Sequence, residues 1–202
     1  VSTVNGRPAF GGTPSDASVK RAIEDLASRG LSVLFNPFLM MDIPAGNGLP
    51  DPYGASEQAS YPWRGRISVA PAPGFVGSPD KTSPVAAEVS NFFGTASAAD
   101  FAIGPSGIVY SGPDEWSYRR MILHNAALCV WAGGVDGFLI GSELRGLTHL
   151  RDSATTYPVV EQLVLLSSEV RALLGPDTKI SYGADWSEYF GHQPADGSGD
   201  VF

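Results

Sequence analysis

The feature that most constrains this chain is the stretch at residues 135–144, Val-Asp-Gly-Phe-Leu-Ile-Gly-Ser-Glu-Leu. Phe138, Leu139 and Ile140 follow a Gly-Gly pair as an unbroken apolar run, the pattern of a strand buried on both faces. Such a strand needs a layer on each side, which in a chain of alternating helices and strands means a parallel α/β sheet. The run stops at Glu143. A carboxylate just past the C-terminal end of a buried parallel strand is fixed at the mouth of the fold, where barrels carry their active sites. Glu143 is therefore the first candidate for chemistry. The plainer alternative is a cap on the next segment or an ion pair with Arg145 or Arg151.

The rest of the chain supplies the layers. Gly-Gly-Thr-Pro-Ser-Asp at 11–16 is a helix start, with Ser15 or Asp16 as acceptor for the first free amides. Val19, Ala22, Ile23 and Leu26 then recur at helical spacing, and Gly30 supplies the stop. Residues 31–41 read as a buried strand, in which Pro37 fits only a bulge or the strand's end. Residues 42–112 read as one elaborated loop region rather than a second domain. Within it, Arg64 to Ile67 could begin a short extended piece, Ser83-Pro84 opens a helix that ends at Gly94, and Gly-Pro-Ser-Gly joins two halves of a hairpin at 101–110. Ser111, Pro113 and Asp114 are expected to open the strongest helix, in which Trp116, Met121, Leu123, Leu128, Val130 and Trp131 are apolar on most sides. A second helix is expected over 159–174 and a further strand over 179–184, ending in Asp185-Trp186. The expected fold is α/β, a single domain over 1–202.

Composition removes several function classes. Thirteen basic against 21 acidic side chains give a net charge of -8, and no Lys/Arg stripe forms. Nucleic acid and anionic membrane are poor partners for such a chain, whereas a neutral polymer such as carbohydrate suits it. Cys129 stands alone and cannot form an internal disulfide or a zinc cluster, and His124, without a second ligand at the right spacing, reads as a packed, hydrogen-bonded residue. No metal and no cofactor are expected. Phosphate-binding, dinucleotide-binding and Gly-x-Ser-x-Gly motifs are missing from the sequence. No apolar run approaches the roughly 18–20 residues that span a bilayer, so a soluble chain without a membrane span is expected.

If residues 31–41, 135–142 and 179–184 are adjacent parallel strands in that order, Asp42, Glu143 and Asp185 emerge at one rim, and the loop at 42–63 overhangs them. Tyr53, Tyr61 and Trp186 could then line one cleft, where aromatic faces meet sugar C-H faces. The alternative use of such aromatics is to staple the loop down. Paired rim carboxylates beside aromatics suit glycoside hydrolysis, in which one protonates the leaving oxygen and the other attacks or activates water. For Asp185 the alternative is a cap on the following turn. Carboxylates clustered in this way are expected to raise at least one pKa.

Five motifs carry a resemblance: Gly-Gly-Thr-Pro-Ser-Asp-Ala-Ser-Val at 11–19, Pro-Phe-Leu-Met-Met-Asp-Ile-Pro at 37–44, Gly-Asn-Gly-Leu-Pro-Asp-Pro-Tyr at 46–53, Phe-Leu-Ile-Gly-Ser-Glu-Leu-Arg-Gly-Leu at 138–147 and Tyr-Gly-Ala-Asp-Trp-Ser-Glu-Tyr-Phe-Gly at 182–191. Together they resemble the TIM-barrel-like domain of the multidomain baseplate proteins of gene transfer agents and tailed phages. The resemblance implies part of a (β/α)8 barrel, about its third to fifth strands, with two strands before Val1 and three after Phe202. It implies a glycoside hydrolase-like domain of a virion or phage-like tail that works at the bacterial surface, with a cell-surface polysaccharide or peptidoglycan-type glycan and the neighbouring tail domains as partners. Glu143 matches the acid/base position after the fourth strand of the similar retaining glycosidases. That clan usually has Asn just before this Glu, where this chain has Ser142. The clan's nucleophile, after the seventh strand, would lie outside these residues. A catalytically silent structural or receptor-binding barrel is the alternative implied.

Overall fold

The computed structural model describes residues 12–188, together with the backbone of a small antiparallel pair, β1 (Thr3–Val4) and β2 (Arg7–Pro8). Tyr189, Phe190 and Gly191, the end of the fifth motif, lie outside the described residues.

The first helix, α1 (Asp16–Ser28), starts where the capping signal places it: Ser15 accepts from the Ser18 amide at 3.3 Å. After a turn at Gly30 comes β3 (Leu34–Phe35), much shorter than the strand expected over 31–41. Pro37 has no amide to give a ladder, so pairing ends before it and the segment continues as irregular chain.

Residues 42–112 carry four small elements: a 3-10 turn at Arg64–Arg66, helix α2 (Pro84–Phe93), a second 3-10 turn at Ala98–Asp100 and the hairpin of β4 (Phe101–Gly104) and β5 (Gly107–Tyr110). The turn at Arg64 replaces the expected extended piece. Helix α3 (Tyr118–Trp131) starts later than the Pro113-Asp114 signal suggests, because Ser117 takes the cap and accepts from the Arg120 amide at 3.2 Å. Trp116 consequently stays outside the helix and is 77% exposed. Inside α3, Ile122, Leu123, Ala126, Ala127, Leu128 and Cys129 are buried. Burial pushes the Cys129 thiol up to about 12, so it is an inert core group. His124 is held by Asp16 of α1 at 3.0 Å, a packed and hydrogen-bonded side chain as expected.

The chain then forms β6 (Gly137–Ser142), a four-residue helix α4 (Arg145–Thr148), the long helix α5 (Pro158–Leu174) and β7 (Lys179–Gly183). The sheet order is β3-β6-β7, with both pairs parallel. Phe138 and Ile140 are buried, with α3 and α5 packed near β6 and against each other. Gly141 permits two tyrosines to reach this strand. A Cβ there would lie 2.4 Å from the Tyr118 hydroxyl and 3.4 Å from the Tyr182 ring. The Tyr118 hydroxyl instead donates to the Ile140 carbonyl at 2.9 Å.

The architecture is thus α/β with a central parallel sheet, and among the described residues the sheet has three strands and does not close into a barrel. No described helix is long and apolar enough to cross a membrane.

Candidate functional site

Because β6 and β7 run parallel, Glu143 and Asp185 leave the sheet at the same end. Glu143 is strictly positioned. Its φ is +53, in the left-handed region that side chains seldom adopt, and its amide donates to the Gly183 carbonyl at 2.8 Å. Its carboxylate meets the loop before it. Trp63 donates its indole N-H to Oε2 at 2.8 Å, and Arg64 Nη2 lies 2.7 Å from the same oxygen. Both partners are donors, one of them cationic, and they fix the carboxylate through a single oxygen.

In the sequence Arg64 carries no site signal, and Trp63 is one more aromatic of the 42–63 loop, suited to stacking on a sugar or to stapling the loop. Arg64 is buried; its Nε donates to the Ser142 carbonyl at 2.9 Å and to Ser142 Oγ at 3.2 Å, and its guanidinium covers the Phe38 ring at 3.8 Å. The ion-pair alternative for Glu143 is therefore realised through Arg64. Arg151 pairs with Asp80 at 3.4 Å instead. Gly65 explains how Trp63 folds back, since a Cβ there would sit 2.4 Å from the indole. The loop is seated on α4 through Gly146, where a Cβ would lie 2.5 Å from the Ile67 carbonyl and 2.7 Å from that of Gly65.

Beside this pair an open groove of about 420 Å³ is lined by Trp63, Arg145, Asp185, Trp186 and Ser187. Trp186 is 74% exposed on its wall. Asp185 accepts from the Ser187 amide at 3.0 Å and from the Ser187 hydroxyl. The Ser187 hydroxyl bond, with backbone donors and the Arg145 charge, holds the Asp185 carboxyl below the usual range, opposite to the rise expected from clustered acids. Asp185 thus caps the turn Trp186–Glu188 and faces the groove at once.

The other expected site residues are placed differently. Tyr53 packs under the loop, with the Arg66 guanidinium 4.1 Å from its ring centroid and Phe75 edge-on at 6.1 Å. It serves there as a staple and is not among the residues lining the groove. Tyr61 is exposed, with φ +45, and its amide donates to the Ile43 carbonyl at 2.8 Å. Asp42 is exposed and has no ionic or hydrogen-bonded partner among the described residues. The structure therefore brings Glu143, Asp185 and Trp186 together with Trp63, Arg64 and Arg145. No group of three or more His, Cys, Asp or Glu that could hold a metal occurs among the described residues.

Residues 116–202 match the sequence model of the GTA TIM-barrel-like domain. GTA denotes gene transfer agent, and this is the family that the motifs at 138–147 and 182–191 resemble. The matched segment of the chain holds α3, β6, α4, α5 and β7, and with them Glu143, Arg145, Asp185 and Trp186. Trp63 and Arg64, which fix the Glu143 carboxylate, come from chain before that segment. No curated protein matches the chain.

Proposed function

We propose that this TIM-barrel-like domain binds bacterial cell-surface glycan at the sheet's C-terminal rim, as part of a gene transfer agent or phage-like tail, and hydrolyses it with Glu143 as acid/base. The observation that carries the reading is the groove itself: two tryptophans, Trp63 and Trp186, border an open cleft between Asp185 and the Glu143 pair. An indole face covers the C-H face of a sugar ring, and carboxylates and Arg145 can bond its hydroxyls. Hydrolysis is supported by the position of Glu143. Both partners of its carboxylate sit on Oε2, and Oε1 has none among the described residues. That oxygen is available to exchange a proton with a glycosidic oxygen or a water.

A second reading has its own observation. Trp63 and Arg64 already engage Glu143 Oε2, so the carboxylate can serve simply as a fixed part of the rim that seats the loop. On that reading the domain binds glycan, or another surface of the particle, without cleaving it.

Binding is tested by titrating the full-length protein with soluble envelope polysaccharide and following tryptophan fluorescence. Trp186→Ala is expected to weaken binding roughly fivefold, about 1 kcal/mol, with stability unchanged within about 0.5 kcal/mol. A wild-type protein with no fluorescence response and no retention on the polysaccharide would rule the glycan reading out.

A further inference from the structure

We propose that Tyr182 and Glu188 are positioning residues that hold Glu143 in its left-handed conformation and couple it to the Trp186 wall of the groove. The hydrolytic part of the test rests on the function proposed above.

A non-glycine residue at φ +53 stays there only if its surroundings fix the backbone on either side. On one side the Glu143 amide is tied to the Gly183 carbonyl at 2.8 Å. On the other, the Leu144 amide donates to the Tyr182 hydroxyl at 2.6 Å. That hydroxyl donates onward to Glu188 Oε1 at 3.1 Å. Glu188 is itself held by the Thr148 hydroxyl at 2.8 Å and by the Asp185 amide at 2.7 Å.

One carboxylate therefore gathers donors from α4, β7 and the rim turn, and passes the constraint through a phenol to the residue after Glu143. Burial, followed by the Glu188 charge, pushes the Tyr182 hydroxyl well above the usual phenol range, so it remains a protonated donor. The groove wall at Asp185, Trp186 and Ser187 lies between two residues of this network. A ligand that presses on Trp186 bears on the same turn that fixes Glu143.

A merely structural role for the network would alter stability alone. The test uses the full-length protein labelled with ¹⁵N-tryptophan, in which the Trp63 indole N-H bonded to Glu143 reports where the carboxylate sits; Trp63→Phe assigns the resonance. Tyr182→Phe is expected to move that resonance in the direction produced by Glu143→Gln. With envelope polysaccharide it is expected to lower kcat by about 10²-fold with KM changed less than about twofold. Glu188→Gln, which keeps the side chain's shape but replaces one acceptor oxygen with a donor, is expected to shift the resonance likewise, and serves where Tyr182→Phe does not fold. A wild-type indole resonance in the folded variant overturns the proposal. If the wild-type protein itself releases no sugar, the hydrolytic reading fails, while the indole resonance still decides the positioning role.

Discussion

Arg64 and Glu143 form an ion pair at 2.7 Å in which the arginine side chain is 9% exposed and the glutamate 35%. The guanidinium is bound on several sides, by Glu143, by both Ser142 oxygens and by the Phe38 ring. A planar donor fork can meet all of these together, which a lysine ammonium could not. The pair fixes the carboxylate before any ligand arrives, and so supplies preorganisation at the rim.

Replacing Arg64 should therefore cost more than an exposed ion pair would. Arg64→Met leaves the Ser142 oxygens and the Glu143 carboxylate without their donor, although water reaches the latter. A loss of about 2–3 kcal/mol is expected from urea unfolding. A change below about 0.5 kcal/mol would mean that the pair is solvated and does not order the rim.

The sheet was legible in the sequence because β6 is an apolar run between glycine and a carboxylate, and because α1 carries its own start and stop residues. The order β3-β6-β7 followed from parallel connections, and it places Glu143 and Asp185 at one end. The clamp on Glu143 was not legible. Arg64 and Trp63 lie in a Pro-rich loop far from Glu143 in sequence, and no local period marks a side chain whose partner is supplied by tertiary structure. The same holds for Tyr53, whose sequence suits a staple, the commoner use of a loop aromatic, as well as a sugar platform. Only the packing against Arg66, Phe75 and Gly146 decides for the staple. Trp116 was assigned to α3 because its apolarity matched the helix, yet the Ser117 cap excludes it.

Gly146 is where loop and helix meet backbone to backbone. In Gly146→Ala the methyl would lie 2.5 Å from the Ile67 carbonyl, and neither main chain can yield by a rotamer change. The loop must lift, carrying Trp63 away from Glu143. A destabilisation of about 1–3 kcal/mol is expected, with glycan binding reduced beyond what unfolding explains. Thermal unfolding and fluorescence titration of the same sample separate the two effects, and wild-type values in both would show that the contact is loose.

Glu115 sets an acid limb. Burial alone would raise its pKa, but donors from Ser117, Ala96 and Thr95 outweigh it and hold the carboxyl down at about 2. A folded pKa below the unfolded 4.5 means that its contribution is complete above about pH 4.5 and is lost as pH falls toward 2. Urea midpoints from pH 6 to 2.5 should therefore fall more steeply for wild type than for Glu115→Gln, whose stability is already lowered at pH 6. Parallel curves would show that the carboxylate is not the group responsible.

Release of reducing sugar ends from purified bacterial envelope polysaccharide, by the full-length protein and its Glu143→Gln variant side by side, tests the role of the rim carboxylate most directly. The amide keeps the shape and can still accept from Trp63, but it can neither give nor take the catalytic proton. The expected result is hydrolysis by wild type, reduced on the order of 10² to 10⁴-fold in the variant, with binding of the polysaccharide retained. Equal release by both proteins, or none by wild type on polysaccharide that it binds, would contradict a catalytic Glu143.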